Sequence, residues 1–350
     1  MKHSASNSSN ATAGAKHTGT ERAFLKQVLQ TQAQKILPTL TTLFSSLNYS
    51  EISHQRISQQ AQNNENDFQG LTRAQHPQFG RVMIKWQLTA ATNQSLAGLT
   101  HEIGVLKSIN NLSANQNRFQ DSLFAIAPPM LAYETLRVKV LDQFSQLTIL
   151  TMPYYLSGSL ATQLNVRNHS LLNSQRKHHF IAQSAHLIAT LHSAGWLHND
   201  IKPSNILLDD FLPNHADDSC IKADLLLNDF ALAKPISKSI ETSLAGTPAY
   251  LAPERWQSKS QSATVQSDIY AFGIMMVEIL TGKRPFQICA NSNDKLKAWA
   301  IQHCQQPIPT LPLEYSHYQG IINKALAKRV ERRYQSMEEV LKSLEQLRIY

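Results

Sequence analysis

The chain has 350 residues, of which 42% are hydrophobic, and it carries a formal net charge of +8. This size is sufficient for one large or two ordinary domains with a buried core. The charge favours phosphate-bearing or acidic partners, but nucleic-acid binding is not predicted, because the sequence has no zinc-finger spacing, no RNP-like stretch and no dense basic run. Three isolated cysteines, Cys220, Cys289 and Cys304, predict neither a disulfide framework nor a zinc site, which fits a reducing compartment.

The first residues of the chain are polar. Residues 1–20 are rich in Ser, Asn, Thr and Ala, lack the apolar core of a secretory signal, and predict a disordered tail. The longest apolar run, Ile269 to Leu280, is too short to span a bilayer and contains Glu278. We therefore expect no membrane contact and a cytoplasmic location.

A helical extension is predicted next, over residues 21–49. Apolar residues at helical spacing predict an amphipathic helix from Glu21 to Leu37, ended by Pro38. Its apolar face is expected to pack either on the main domain or on a partner. The Gln- and Asn-rich stretch Ser58 to Asp67 that follows predicts a loop.

The remaining elements are strands first and helices later. The predicted strands are Arg81 to Leu88, Met130 to Tyr133, Arg137 to Leu141, Leu147 to Met152, Ile206 to Leu208 and Ala223 to Leu227. The predicted helices are Leu99 to Ile109, Gln175 to His192 and most of the chain from Ser267 onward. This order predicts an α+β fold with two lobes and a cleft between them.

The strongest chemical signal is a polar cluster, HNDIKPSN, at positions 198–205 directly before an apolar run. Its Asp200 can accept a hydroxyl proton, Lys202 can meet a phosphate, and the amide oxygen of Asn205 can ligate Mg²⁺. A second carboxylate, Asp229 in Asp229-Phe230-Ala231, follows the next predicted strand and can hold Mg²⁺ across phosphates. Together these residues favour phosphoryl transfer.

These segments resemble the motifs of protein kinases. HNDIKPSN is similar to the catalytic loop H-R-D-L-x-x-x-N, DFA to D-F-G, VMIK (Val82 to Lys85) to V-A-I-K, and GTPAYLAPE at positions 246–254 to the segment ending in A-P-E. The resemblance runs from about Ser50 to about Arg348. It implies a kinase domain over residues 50–348, with a small β-rich N-lobe at about 50–152 and a larger α-helical C-lobe at about 156–348. Lys202 and Thr247 resemble the Ser/Thr-specific subgroup, and the chain is similar to eukaryotic-like kinases of bacteria.

The resemblance implies a role for each matching residue. Asp200 would be the catalytic base and Lys202 its neighbour at the γ-phosphate, while Asn205 and Asp229 would hold Mg²⁺ or Mn²⁺. The ATP-binding residues would be Lys85 with its ion-pair partner Glu102, the gatekeeper Met152, the hinge residue Tyr154, and Asn64, Asn66 and Gly70 of the phosphate-covering turn. ATP and a protein substrate are the implied ligands.

Two structural residues also match family positions. Asp268 resembles the buried aspartate that braces the catalytic loop, although the residue alone is equally typical of a helix N-cap. Arg333 resembles the arginine that pairs with the glutamate of A-P-E, here Glu254.

The phosphate-covering turn departs from the family pattern. Aligned back from Lys85, it falls at Asn64 to Leu71, where Asn64, Asn66 and Gln69 stand in place of the glycines that let backbone amides approach phosphate. Glu65 and Asp67 add negative charge beside the phosphates. We therefore expect weak ATP affinity or an unusually strong Mg²⁺ dependence.

Two further departures concern regulation and loop mobility. Asn199 replaces the arginine of H-R-D that receives a phosphorylated activation loop, so we expect activity without phosphorylation at Thr242 or Ser243. Ala231 replaces the glycine of D-F-G but leaves the metal ligand in place.

Two other functions remain open. A pseudokinase, which acts as a signalling scaffold, is favoured by the altered glycine loop and by DFA, and opposed by the retention of Lys85, Asp200, Asn205 and Asp229. A small-molecule kinase would share the catalytic residues, but the segment GTPAYLAPE argues for a protein substrate.

Overall fold

A computed structural model describes residues 35–59, 67–90, 98–116, 125–140, 143–209, 224–237, 245–257, 263–289, 292 and 294–347. The chain divides into two compact units. The first contains the described residues up to Leu99 together with Met130–Tyr154, and the second contains Thr100–Pro129 and the chain from Tyr155 onward. The first unit is rich in strands and the larger second unit is mainly helical, which confirms the predicted α+β class. The predicted domain limits themselves stay predictions.

The first unit is built on one antiparallel sheet with the strand order β1-β2-β3-β5-β4. Its strands are β1 (Ser50–Gln59), β2 (Phe68–His76), β3 (Gly80–Ala90), β4 (Ala132–Val140) and β5 (Gln143–Pro153). The prediction of two strands at Met130 to Tyr133 and Arg137 to Leu141 was wrong, since β4 is continuous. The polar residues Glu134 and Thr135 are exposed on this edge strand, where polar side chains do not interrupt pairing.

A helix, α1 (residues 35–46), packs on one face of this sheet. Ile36, Leu40 and Phe44 recur every four residues, are at most 1% exposed, and share a hydrophobic core with the alternate residues of β3. The prediction that the helix ends at Pro38 was wrong. Burial of the apolar residues after Pro38 outweighs the local tendency of proline to end a helix. Residues 1–34, with the predicted tail and most of the predicted helix, lie outside the described residues.

The second unit consists mainly of helices around a buried central helix. In chain order its elements are α2 (Leu99–Gln116, whose first residue belongs to the first unit), α3 (Leu160–Gln163), α4 (Val166–His169), α5 (Ser174–Ser193), β6 (Trp196–Leu197), β7 (Ile206–Asp209), β8 (Asp224–Leu227), β9 (Lys234–Pro235), α6 (Pro253–Gln257), α7 (Val265–Thr281), α8 (Lys295–Gln305), α9 (Gln319–Ala325) and α10 (Met337–Glu345). Helix α7 is buried along almost its whole length and packs against α5 and α9. Among the described residues, no helix has both the length and the apolar character needed to cross a membrane.

Candidate functional site

The catalytic-loop residues lie between β6 and β7, and the side chain of Asp200 is at their centre. Its Oδ1 accepts hydrogen bonds from Thr247 N (3.0 Å) and Thr247 Oγ1 (2.7 Å). Its Oδ2 accepts from Lys202 Nζ (2.5 Å) and Asn205 Nδ2 (3.1 Å). The side chain is 9% exposed, and its four donors hold the carboxylate in one orientation. Three of the predicted residues therefore meet in one place.

Thr247 connects Asp200 and Lys202 from a different segment of the chain. Its hydroxyl accepts from Lys202 Nζ at 2.8 Å and donates to Asp200 Oδ1. A residue near the end of the activation segment thus closes a ring of hydrogen bonds with the catalytic loop. In the sequence Thr247 marked the Ser/Thr-specific subgroup, and the structure shows the contact that requires a hydroxyl there.

Asp268 of α7 braces the catalytic loop, as the resemblance implied. Its Oδ2 accepts from His198 N (2.8 Å) and its Oδ1 from Asn199 N (2.9 Å), while His192 Nε2 lies 3.0 Å from Oδ2. Burial raises the pKa of Asp268, but these hydrogen bonds and the nearby imidazoles more than offset it, so the pKa lies below its usual value. Asp268 is not the N-cap of α7, because Thr264 occupies that position.

The predicted metal ligands Asn205 and Asp229 are brought together by the hairpin of β7 and β8. Ile206 pairs with Leu227, and one step further Asn228 N donates to Asn205 O at 2.9 Å, which places Asp229 next to this end of the hairpin. Asp229 adopts a left-handed backbone with φ 65°, a conformation that is uncommon for a residue with a side chain.

The buried imidazole of His198 ties these two segments together. Its Nδ1 accepts from Asp200 N (3.3 Å), and its Nε2 lies 3.1 Å from the carbonyl oxygen of Asn228, which fits a proton on Nε2. Burial lowers the pKa of His198, and this outweighs the nearby carboxylates that act in the opposite direction. A neutral imidazole can accept at one nitrogen and donate at the other. The sequence identified His198 only as the first residue of the H-R-D-like motif. The structure shows its role, which is to connect the catalytic loop to the segment before Asp229.

The donor set at this end of the hairpin suits Mg²⁺. Asn205 directs its amide nitrogen to Asp200 O (2.9 Å) and Oδ2, so its amide oxygen is the atom suited to a metal. One amide oxygen and one carboxylate match the way Mg²⁺ is bound beside substrate phosphates, which supply further ligands. Within the part of the chain that the structure describes, no group of three or more His, Cys, Asp or Glu could hold a metal by itself.

Asn199 makes a contact that sequence reasoning missed. Its backbone has φ 64°, which Asn tolerates better than most residues, and its Nδ2 donates to Leu232 O at 2.9 Å. This bond joins the catalytic loop to the short 3-10 helix Phe230–Leu232 that follows Asp229. From the sequence, Asn199 was interpreted as the loss of a docking charge. In the structure its side-chain amide also forms a hydrogen bond to Leu232 O, and this bond does not depend on a phosphorylated residue. Thr242 and Ser243 lie outside the described residues.

The predicted pair of Glu254 and Arg333 is confirmed. Arg333 Nη1 and Nη2 donate to Glu254 Oε1 (2.8 Å) and Oε2 (2.7 Å) in a bidentate arrangement. The side chains are 0% and 8% exposed for Arg333 and Glu254 respectively. This pair anchors the end of the activation segment at the start of α6.

The predicted ATP-binding residues of the first unit lie on β3 and β5. Lys85 is on the face of β3 opposite to the face that carries Ile84 and Trp86 and packs on α1. Met152 pairs with Met83 of β3, and Tyr154 N donates to Arg81 O at 3.1 Å just beyond β5. Glu102 belongs to α2 in the second unit and is 1% exposed.

Part of the segment predicted as the phosphate-covering turn is strand, because the residues from Phe68 onward belong to β2. Gly70 lies inside β2, paired with Trp86, and a Cβ there would clash with the Trp86 ring and lie 2.6 Å from Arg56 O. The glycine is therefore required by packing in the sheet. Asp67 was expected beside phosphate, yet it is 2% exposed and accepts from Ala90 N at 3.0 Å. Asn64, Asn66 and Glu65 lie outside the described residues.

Comparison with known proteins agrees with this geometry. A sequence model of the protein kinase domain matches residues 89–344. The chain is 30% identical over 232 residues to the probable serine/threonine-protein kinase PknB of Lactococcus lactis, covering 64% of this chain and 34% of that protein. It is 32% identical over 179 residues to the probable serine/threonine-protein kinase pknA2 of Bifidobacterium longum, covering 50% and 21%, and 32% identical over 168 residues to the serine/threonine-protein kinase ULK1 of Homo sapiens, covering 48% and 15%. The chain thus spans about a third or less of the length of these relatives.

Proposed function

Because the chain belongs to the protein kinase family, we propose that it transfers the γ-phosphoryl group of ATP to Ser or Thr hydroxyls of a protein substrate. The observation that carries this proposal is the environment of Asp200. Both carboxylate oxygens are held by hydrogen-bond donors, and two of the donors, Lys202 and Thr247, are the residues typical of Ser/Thr specificity. The named relatives, all serine/threonine-protein kinases, support the same specificity.

Asp200 acts as the base that orients the substrate hydroxyl. The four donors hold the carboxylate in one orientation, so that it can position the substrate hydroxyl and accept its proton as the bond to phosphorus forms. Lys202, bound to both Asp200 and Thr247, holds a positive charge that offsets the negative charge on the γ-phosphate. Most of the work of this site is therefore positioning and charge stabilisation.

Asn205 and Asp229 would hold Mg²⁺ or Mn²⁺, and Lys85, braced by Glu102, would hold the α- and β-phosphates of ATP. The metal, when bound, supplies the positive charge that neutralises the phosphates. Met152 and Tyr154 would line the site of the adenine. Asn64 and Asn66, which lie outside the described residues, keep their proposed place near the phosphates, whereas Gly70 is in β2.

A second candidate function is a scaffold without phosphoryl transfer. It is favoured by the segment between β1 and β2, which contains no glycine, and by Ala231 in place of glycine. A scaffold with this fold would bind partner proteins without transferring phosphate. It would bind nucleotide as well if the altered phosphate-covering turn still accommodates it.

The test is incubation of the purified full chain with γ-labelled ATP, Mg²⁺ or Mn²⁺ and generic acceptor proteins. The variant Asp200→Asn keeps the shape of the side chain but removes the base and is expected to lower the rate by about 10²- to 10⁴-fold. The matched control is Glu345→Gln, which removes an exposed carboxylate at the end of α10. Label on Ser or Thr that disappears only in Asp200→Asn supports the kinase. A folded wild-type chain that transfers no label refutes it and favours the scaffold.

A further inference from the structure

Gln87 is a buried polar residue on the same strand and the same face as Lys85. Successive side chains of a strand point to opposite faces of the sheet. Lys85 and Gln87 are two residues apart on β3, so their side chains lie side by side on the face that does not pack on α1. Gln87 is 6% exposed, and its Oε1 accepts a hydrogen bond from Leu99 N at 2.8 Å. A buried amide side chain thus reaches from the sheet to the first residue of α2.

This hydrogen bond replaces a local helix cap. The first N–H groups of a helix have no partner within the helix and are usually satisfied by a side chain of the residue just before it. That residue is Gly98, which has no side chain. Gln87 therefore supplies the acceptor from another element, and the start of α2 is tied to β3.

Gly98 is matched to this arrangement in two ways. Its φ is +97°, a region that residues with a side chain rarely adopt. A Cβ at this position would lie 2.6 Å from Gln87 Oε1 and 2.8 Å from Gln87 Nε2, so any side chain would displace the amide. The hydrogen bond between Leu99 N and Gln87 Oε1 therefore requires that position 98 has no side chain.

We propose that Gln87 and Gly98 form a latch that fixes the start of α2 against β3, and that Gln87 is a positioning residue for phosphoryl transfer. The latch acts on the reaction through α2, because Glu102 lies in the first turn of this helix and Lys85 lies two residues before Gln87. This part of the inference rests on the proposed function, in which Glu102 braces Lys85. Loosening the start of α2 would weaken the grip of Lys85 on ATP without removing any residue that touches ATP.

The test compares Gln87→Ala, Gly98→Ala and the double variant in the full chain, with Gln146→Ala as the control. Gln146 is an exposed glutamine on β5 of the same sheet. The first measurement is hydrogen exchange of the amides in the first turn of α2, which needs no enzymatic activity. The free energy of one capping hydrogen bond predicts about fivefold faster exchange there for Gln87→Ala, with the strands of the sheet unchanged.

The two single changes are expected to be non-additive. In the Gln87→Ala background the methyl group introduced at position 98 no longer meets the amide, so adding Gly98→Ala accelerates exchange by less than it does in the wild type. Additive effects, or exchange that rises equally throughout the sheet, would overturn the latch.

The second measurement is the steady-state kinetics of labelling. Gln87→Ala is expected to lower kcat/KM for ATP by about five- to tenfold and to leave KM for the protein acceptor unchanged. Faster exchange with unchanged ATP kinetics would contradict the positioning role while leaving the latch in place. Should the wild-type chain transfer no phosphate, the exchange experiment still decides whether the latch exists.

Discussion

Replacement of Arg333 by Met should destabilise the second unit strongly. The guanidinium has five N–H groups, and each has an acceptor: Glu254 receives two, and the carbonyl oxygens of Ala327, Gln266 and Lys328 receive the others. Arg333→Met leaves the Glu254 carboxylate buried without its cation. Removing one partner of a buried ion pair costs about 3–5 kcal/mol. At about 2–4 °C per kcal/mol for a unit of this size, the melting temperature should fall by roughly 6–20 °C.

The assay is thermal unfolding of the single variants and of the double variant Arg333→Met with Glu254→Leu. Replacing both charges by apolar side chains removes the uncompensated carboxylate, so the double variant should be more stable than Arg333→Met alone. Arg333→Lys keeps the charge but cannot make the bidentate contact and should fall between wild type and Arg333→Met. A loss below about 1 kcal/mol for Arg333→Met, or strictly additive losses in the double variant, would refute the reasoning.

Two further predictions concern Asn199 and His54. Asn199→Gly keeps the left-handed backbone but loses the bond to Leu232, so kcat should fall about tenfold and stability by about 1 kcal/mol, and Asn199→Asp, which places an acceptor against a carbonyl, should lose more. His54 lies between the hydroxyls of Thr41 (3.0 Å) and Thr72 (2.8 Å), and burial lowers its pKa below the ordinary 6.5. Its contribution to stability is therefore present above pH 6.5 and is lost as the pH falls below it, and His54→Gln should flatten this part of the pH profile.

Each of these two predictions has an outcome that would contradict it. Wild-type kcat in Asn199→Gly would mean that the bond to Leu232 does not organise the catalytic loop. For His54 the measurement is the difference in melting temperature between variant and wild type from pH 8 to pH 5. The difference is needed because the lowered pKa values of His178, His198 and His303 contribute to the pH dependence of stability in both proteins. If the difference in melting temperature does not change with pH, the protonation of His54 is not coupled to unfolding and the prediction is wrong.

The contiguous motifs were predictable because the chemistry places their residues close together in the chain. Asp200, Lys202 and Asn205 lie within one loop, and the hairpin register that brings Asp229 to them follows from two short apolar strands. The pairing of Glu254 with Arg333 spans a longer distance, and it was identified only because both residues occur in recognisable segments. Sequence alone therefore determined the family, the two-part α+β organisation and the meeting of Asp200, Lys202 and Asn205 in one loop.

Tertiary structure decided the features whose partners are distant in the chain and belong to no motif. Pro38 was expected to end a helix, but the packing of Leu40 and Phe44 on the sheet continues it. Gly70 and Asp67 were assigned to a phosphate turn, but their surroundings are a tryptophan ring and the end of β3. Local sequence patterns indicate conformational preference and periodicity. The free energy that a buried contact contributes to stability depends instead on which atoms from distant parts of the chain surround it. The bond from Gln87 to the start of α2 is such a contact, and only the folded chain reveals it.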